Sequence, residues 1–137
     1  MSAVEFPYCK SDATLSACVC DDPCILVQLT YGKKVITVEG LVDSGCTTTL
    51  ADLSLAEVLG VNLETCLPVP VEGVGGKVQG HMTTIGFNVE GFDSFNGNVI
   101  FVENLPVSVL LGQQNFFDNF NIHFKKSEYK FILEKAE

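Results

Sequence analysis

Short runs of alternating apolar and polar residues fill most of the chain, and this pattern predicts strands. Residues 25–30 and 35–38 form two such runs on either side of a turn-like segment at 31–34, so together they predict a β-hairpin. Further strands are predicted at residues 83–89, 98–102, 107–112, 121–124 and 129–133. Asn96 and Gly97 have the composition of a turn before the second of these strands.

One segment has helical periodicity, with apolar residues recurring at intervals of three and four. Ser54 and Glu57 have the spacing of a capping box, and Gly60 is a natural helix stop, so residues 52–60 predict a short helix. Residues 62–70 contain two prolines and are predicted to be a connector. The whole pattern predicts a single all-β domain with one or two short helices.

Composition and charge narrow the class of protein. The 137 residues have the usual size of one domain, and 47% of them are apolar, which is enough to bury a core. The net charge of -9 argues against nucleic acid or an anionic membrane surface as a partner, because both repel an acidic protein. No apolar stretch approaches the ~20 residues of a membrane helix, and the first ten residues do not resemble a secretory signal, so a cytoplasmic location is expected.

Four cysteines lie close together near the N-terminus, at Cys9, Cys18, Cys20 and Cys24. Residues 1–22 also lack a clear apolar pattern, so they are predicted to be a flexible, Cys-bearing segment before a folded domain at 23–137. Reduced thiols are the simplest interpretation, and disulfides or structural zinc remain alternatives. The C-x-C-x3-C spacing matches the paired C-x2-C knuckles of zinc sites poorly, so no metal and no other cofactor is predicted.

Candidate chemistry centres on Asp43. Residues 41–47 have the sequence Leu-Val-Asp-Ser-Gly-Cys-Thr, in which an apolar, strand-like run ends in a turn of small residues that presents one carboxylate. Taken alone, such an Asp is more often a turn-forming or capping residue than a catalyst. Hydrolysis of an amide by an activated water takes two facing carboxylates that share a proton. Since this setting occurs once in the chain, a second copy of the chain would have to supply the other carboxylate.

Two further segments follow in the same order as in a known family. Gly73, Val74, Gly75 and Gly76 concentrate glycine in a strand context, which alone predicts an ordinary hairpin tip. Leu110, Leu111 and Gly112 end a nearly continuous apolar run and precede a Phe-rich turn. Together with the Asp43 segment, they resemble the retropepsin-like aspartic proteases, which comprise the retroviral proteases and their single-domain bacterial and cellular relatives.

The resemblance implies a retropepsin-like half-barrel and an aspartic endopeptidase that acts on a peptide or protein substrate as a homodimer. The residues it implicates are the catalytic Asp43, Ser44 and Gly45, the flap residues Gly73, Val74, Gly75 and Gly76, and the supporting residues Leu110, Leu111 and Gly112.

Three positions depart from the family pattern. Ser44 stands where threonine is commoner, Cys46 where alanine is usual, and Gln113 where retroviral members have an arginine that ties the dimer. These departures leave a second hypothesis open, a binding or dimerisation module of the same fold with little or no activity. A third hypothesis is a thiol or zinc protein whose function depends on the N-terminal cysteines.

Overall fold

The computed structural model describes residues 3–10, 21–73 and 76–137. Its one α-helix among these residues is α1 (Leu53–Leu59). The strands are β1 (Ala3–Pro7), β2 (Cys9–Lys10), β3 (Asp21–Asp22), β4 (Cys24–Tyr31), β5 (Lys34–Val42), β6 (Leu50–Asp52), β7 (Leu67–Gly73), β8 (Gly76–Asn88), β9 (Phe95–Val102), β10 (Val109–Leu111), β11 (Phe120–Lys125) and β12 (Lys130–Lys135).

The largest sheet closes on itself. Its strand order is β4-β5-β10-β6-β9-β8-β7, and β8 also pairs with β4, so the first six strands form a ring and β7 extends it. Inward-facing side chains of the ring are almost fully buried, among them Val27, Leu29, Phe87, Phe101 and Leu111. This architecture confirms the predicted all-β domain.

Part of the predicted connector and the predicted turn at residues 96–97 belong to strands instead. The prolines predicted to mark a connector, Pro68 and Pro70, lie in β7. Among the described strands β7 pairs with β8 alone, so it tolerates residues without an N–H on its outer side. Asn96 and Gly97 lie inside β9, so the turn predicted there is wrong. Gly97 is required for another reason, since a Cβ at that position would lie 2.5 Å from the Cβ of Asn115.

The helix begins differently from the prediction. Its N-cap is Asp52, whose carboxylate accepts hydrogen bonds from the backbone N–H and the hydroxyl of Ser54, so the capping box predicted from Ser54 and Glu57 is wrong. The hydrogen bond from the Ser54 hydroxyl is the main reason that the pKa of this carboxyl lies below its usual range, and the N–H groups of Ser54 and Leu105 lower it further. Gly60 ends the helix in the left-handed region, as predicted.

A second sheet, with strand order β1-β12-β11, joins the N-terminus to the C-terminal hairpin. The predicted flexible segment thus contains a paired strand at Ala3–Pro7, because Phe6 stacks on Phe131 with ring centroids 5.6 Å apart and Glu5 pairs with Lys130 at 3.1 Å. Residues 11–20, including two of the cysteines in the N-terminal group, lie outside the described residues. The division of the chain at residue 22 stays a prediction.

Candidate active site

Asp43 directly follows β5, at a point where the backbone is held on two sides. β10 runs parallel to β5, and the Asp43 N–H donates to the Leu111 carbonyl at 3.0 Å. The Cys46 N–H then donates back to the Asp43 carbonyl at 3.2 Å and closes the turn. The Gly45 N–H donates to Oδ1 of Asp43 at 2.9 Å, so the half-buried carboxylate is oriented by its own turn.

Gly112 lies where the chain leaving β10 passes the Asp43 turn at close range. A Cβ on Gly112 would lie 2.3 Å from the Thr48 carbonyl oxygen and 2.7 Å from that of Cys46. Both obstacles are backbone atoms, which cannot move aside as a flexible side chain can. The next residue, Gln113, donates its N–H to the Cys46 carbonyl at 2.8 Å, so the close approach is fastened by a hydrogen bond.

Thr49 holds the chain at Gly112 in place from the buried side of the Asp43 turn. Its side chain is buried, and its hydroxyl accepts a hydrogen bond from the Gly112 N–H at 3.1 Å. The hydroxyl lies equally close, at 3.1 Å, to two acceptors, the Gln114 carbonyl and Oδ1 of Asn115. Asn115 adopts a positive φ of 66°, which places its side chain toward Thr49 and β9. Sequence reasoning missed Thr49 and Asn115, because a threonine in a run of three carries no local signal of burial.

Replacement of Thr49 by valine is expected to destabilise the fold by about 1–3 kcal/mol, because the buried Gly112 N–H loses its acceptor. The matched control is Thr84→Val, which removes an exposed hydroxyl that donates to Asn98 and is expected to cost about 0.5 kcal/mol or less. Urea unfolding of both variants measures the difference. Equal losses of unfolding free energy in the two variants would show that the hydrogen bond from the Gly112 N–H to the Thr49 hydroxyl does not stabilise the fold.

Gln113 binds the Asp43 turn of its own chain. Its side-chain amide donates to the Ser44 carbonyl at 2.7 Å. Ser44 itself is exposed in the single chain. The amide at position 113 therefore braces the Asp43 turn, whereas the family resemblance suggested a position important for the dimer.

The β7–β8 hairpin carries the predicted flap residues. Gly73 pairs with Gly76 at its tip, Gly76 has a φ of 106°, and Glu72 and Lys77 form an ion pair across it at 3.3 Å. Val74 and Gly75, between them, lie outside the described residues. The structure thus places Gly73 and Gly76 at a hairpin tip, and the action of this segment as a flap stays a prediction.

A small apolar cluster, called here the second cluster, connects the base of that hairpin with the Asp43 turn. Its buried members are Leu50, Ile100 and Val102, and the half-buried residues packed on them are Cys46, Val69, Val71, Met82, Leu105 and Leu110. Gly80 in β8 leaves room for the side chain of Ile100 in β9, since a Cβ on Gly80 would lie 2.3 Å from Ile100. Through Cys46, the Asp43 turn therefore joins a cluster that includes partly exposed apolar side chains of the hairpin.

The Cys46 thiol beside Asp43 is not poised as a nucleophile. Burial raises its pKa, and the negative charge of Asp43 raises it further. The thiol donates a hydrogen bond to the Thr48 carbonyl at 2.8 Å, so its proton is engaged within the protein. The reactive form of cysteine is the thiolate, which these surroundings disfavour. Cys46 instead packs against the buried residues of the second cluster.

These features define a class: a β-barrel domain that presents one carboxylate from an Asp-Ser-Gly turn, with an apolar-apolar-Gly strand crossing beside it. The profile of the aspartyl protease family matches residues 27–114, which is more than half of the chain, so the chain belongs to that family. No curated protein matches the chain.

Among solved structures, the chain is similar to a retropepsin-like aspartic protease from Rickettsia conorii. The identity is 16%, the TM-score is 0.66, and the match covers 96% of this chain and 91% of the other. The likeness extends over nearly all of both chains and confirms the retropepsin-like fold. Within the part of the chain that the structure describes, no helix combines the length and apolar character needed to span a bilayer.

Proposed function

We propose that the chain is an aspartic endopeptidase that is active as a homodimer, with one Asp43 contributed by each copy. The observation that supports this most directly is the geometry of Asp43: a half-buried carboxylate at the end of β5, oriented by the Gly45 N–H and braced by β10 and Gly112. Such rigid presentation is what a catalytic carboxylate needs and what an ordinary surface Asp lacks.

In the proposed reaction, the two Asp43 carboxyl groups hold one water between them. They repel each other too strongly to be ionised together, so the pair keeps one proton. The ionised member takes a proton from the water as the water attacks the peptide carbonyl, and the protonated member donates a hydrogen bond to the carbonyl oxygen. The tetrahedral intermediate then collapses as the leaving nitrogen is protonated, and no covalent enzyme intermediate forms. Ser44, exposed in the single chain, is available to form a hydrogen bond across the dimer beneath the pair.

The proposed substrate is an extended peptide with apolar side chains near the cleaved bond. The second cluster supplies apolar surface beside the Asp43 turn, through Val69, Val71 and Met82 among others. The β7–β8 hairpin would close over the peptide as a flap, with its glycine-rich tip giving the backbone freedom to move. An extended peptide gains main-chain hydrogen bonds along such a hairpin and is read by pockets for alternate side chains.

Dilution tests the requirement for two copies. At concentrations below the dimer dissociation constant, the rate of cleavage of an unfolded protein is expected to rise with about the square of the chain concentration, because each site needs two chains. Sedimentation velocity at the same concentrations, with and without a peptide inhibitor, measures the dimer directly. Cleavage strictly proportional to concentration by a chain that sediments as a monomer would contradict the proposal.

A further inference from the structure

Three potential metal ligands meet beside β5, near the end of the strand that leads to Asp43 but outside the residues of the proposed active site. Cys9 lies in β2, Cys24 begins β4, and Glu39 lies in β5. Their two sulfur atoms and a carboxylate oxygen all lie within 4.8 Å of one another. Residues from three strands are thus brought together at one point by the fold, although 15 residues separate Cys9 from Cys24.

The register of the β4–β5 hairpin accounts for part of this meeting. Cys24 pairs with Leu41, and Leu26 pairs with Glu39, so Cys24 and Glu39 lie on the same face as diagonal neighbours. Cys9 approaches from the N-terminal segment, and its thiol donates a hydrogen bond to the Cys24 carbonyl at 3.2 Å. The two thiols are half-buried, whereas Glu39 is exposed, so the cluster is rigid on one side and open to solvent on the other.

We propose that Cys9, Cys24 and Glu39 bind one zinc ion through two thiolates and one carboxylate. Zinc takes four ligands in a tetrahedron with Zn–S distances of about 2.3 Å, which places neighbouring ligand atoms about 3.8 Å apart. From separations of at most 4.8 Å, the side chains need to close by about 1 Å or less. A water molecule completes the four ligands on the exposed side.

The donor set favours zinc over the hard cations. Thiolates are soft ligands that select zinc over magnesium and calcium, which prefer all-oxygen sites. Binding releases one proton from each thiol to solvent as its sulfur–metal bond forms, so the charge of the cluster with zinc is -1. Without metal, burial and the acidic neighbours Glu39 and Asp22 raise the pKa of both thiols, that of Cys24 to about 12, so zinc affinity should increase with pH.

A cavity gives solvent access to the cluster, and a hydrogen bond links the cluster to the strand before Asp43. A cavity of about 680 Å³ lies beside the cluster and is lined by Cys9 and Cys24 together with Phe6, Leu26 and Gly91. Val42, the residue before Asp43, donates its N–H to the carbonyl of Pro23 at 2.8 Å, and Pro23 directly precedes Cys24. A zinc ion here would therefore fasten the N-terminal segment to the strand that carries Asp43.

The test uses the full chain, reduced with a non-thiol reductant, in which Cys18 and Cys20 are replaced by serine so that the thiols of residues 11–20 take no part. Zinc titration is expected to give one equivalent per chain, and cadmium is expected to give the ultraviolet thiolate-to-metal absorption of two sulfur ligands. Zinc should raise the unfolding temperature, whereas magnesium should not. Cys24→Ser and Cys9→Ser should each lose the high-affinity equivalent, and Cys66→Ala, which removes a thiol elsewhere in the core, should keep it.

A second route avoids changing the thiols and guards against variants that fail to fold. Glu39→Gln, an isosteric change on an exposed side chain, is expected to weaken zinc binding at least about tenfold while the two-sulfur cadmium absorption remains. Glu64→Gln, also exposed, is the matched control and should leave zinc affinity unchanged. The proposal is overturned by zinc binding that survives Cys24→Ser, by its absence from the reduced Cys18→Ser/Cys20→Ser chain, or by equal effects of the two glutamate changes.

Discussion

The Asp43→Asn chain is expected to fold normally and to lose at least about 10⁴-fold in kcat/KM toward an unfolded protein substrate. The change keeps the size of the side chain and its bond from the Gly45 N–H, but in a dimer it removes both carboxylates at once. Neither side chain can then accept the proton from the attacking water or donate the shared proton. Cleavage followed by mass spectrometry of the fragments measures the loss, and circular dichroism checks the fold.

The matched control is Asp93→Asn, which removes a fully exposed carboxylate that forms a long ion pair with Lys135. Its activity should stay within about twofold of the unchanged chain, since a surface pair of this kind contributes little. Cleavage that persists in the Asp43→Asn chain would exclude the aspartic protease mechanism. An unchanged chain that folds and dimerises yet cleaves nothing would favour the alternative, a binding or dimerisation module.

Mixing the two chains tests whether the site is shared. With about a ninefold excess of the Asp43→Asn chain, random pairing leaves about one in ten of the unchanged chains with an unchanged partner, so activity per unchanged chain should fall about tenfold. A mixed dimer retains one carboxyl group, which cannot serve as base and as proton donor in the same step. Activity independent of the excess chain would place the complete site within one copy.

Gly112→Ala is expected to destabilise the protein by about 3 kcal/mol or more and to lower its unfolding temperature by about 10 °C. The added methyl group would lie 2.3 Å from the Thr48 carbonyl oxygen and 2.7 Å from the Cys46 carbonyl oxygen, and neither backbone atom can yield without moving the Asp43 turn. The loss of activity should therefore exceed what the unfolded fraction explains. Thermal unfolding measures the destabilisation, and activity measured well below the transition shows the loss that unfolding does not explain.

Gly32→Ala provides the comparison, because Gly32 has a positive φ of 58° and no atom near its missing Cβ. This change tests backbone strain alone and is expected to cost about 1 kcal/mol, with activity retained in the folded fraction. Equal destabilisation in the two variants would show that the crossing at Gly112 has room for a side chain.

Local sequence signals predicted most of the strands correctly. The alternation in β4, β5, β11 and β12 depends only on near neighbours, and so does the stop of the helix at Gly60. The wrong turn at residues 96–97 shows how a local signal is overruled by a distant contact. Gly97 resembles a turn residue, yet it is a glycine inside β9 because Asn115 packs against it.

The proposed site also contains features that the sequence reveals and features that depend on distant contacts. The Asp-Ser-Gly turn and the glycine-rich hairpin tip were visible in the sequence, because each is a continuous segment with its own turn chemistry. Thr49 was not visible, since its importance comes from accepting a hydrogen bond from Gly112, which lies 63 residues further along the chain. The cysteine pair was equally hidden, because the spacing in the sequence suggested a poor zinc motif and only the fold adds Glu39.

By itself, therefore, the sequence determined an all-β domain of the aspartyl protease family with a single Asp-Ser-Gly turn. The tertiary structure alone decided which residues brace that turn and which three ligand groups meet beside β5. The physical reason is that side-chain periodicity and turn chemistry act over a few residues, whereas sheet order and register bring together residues far apart in the chain.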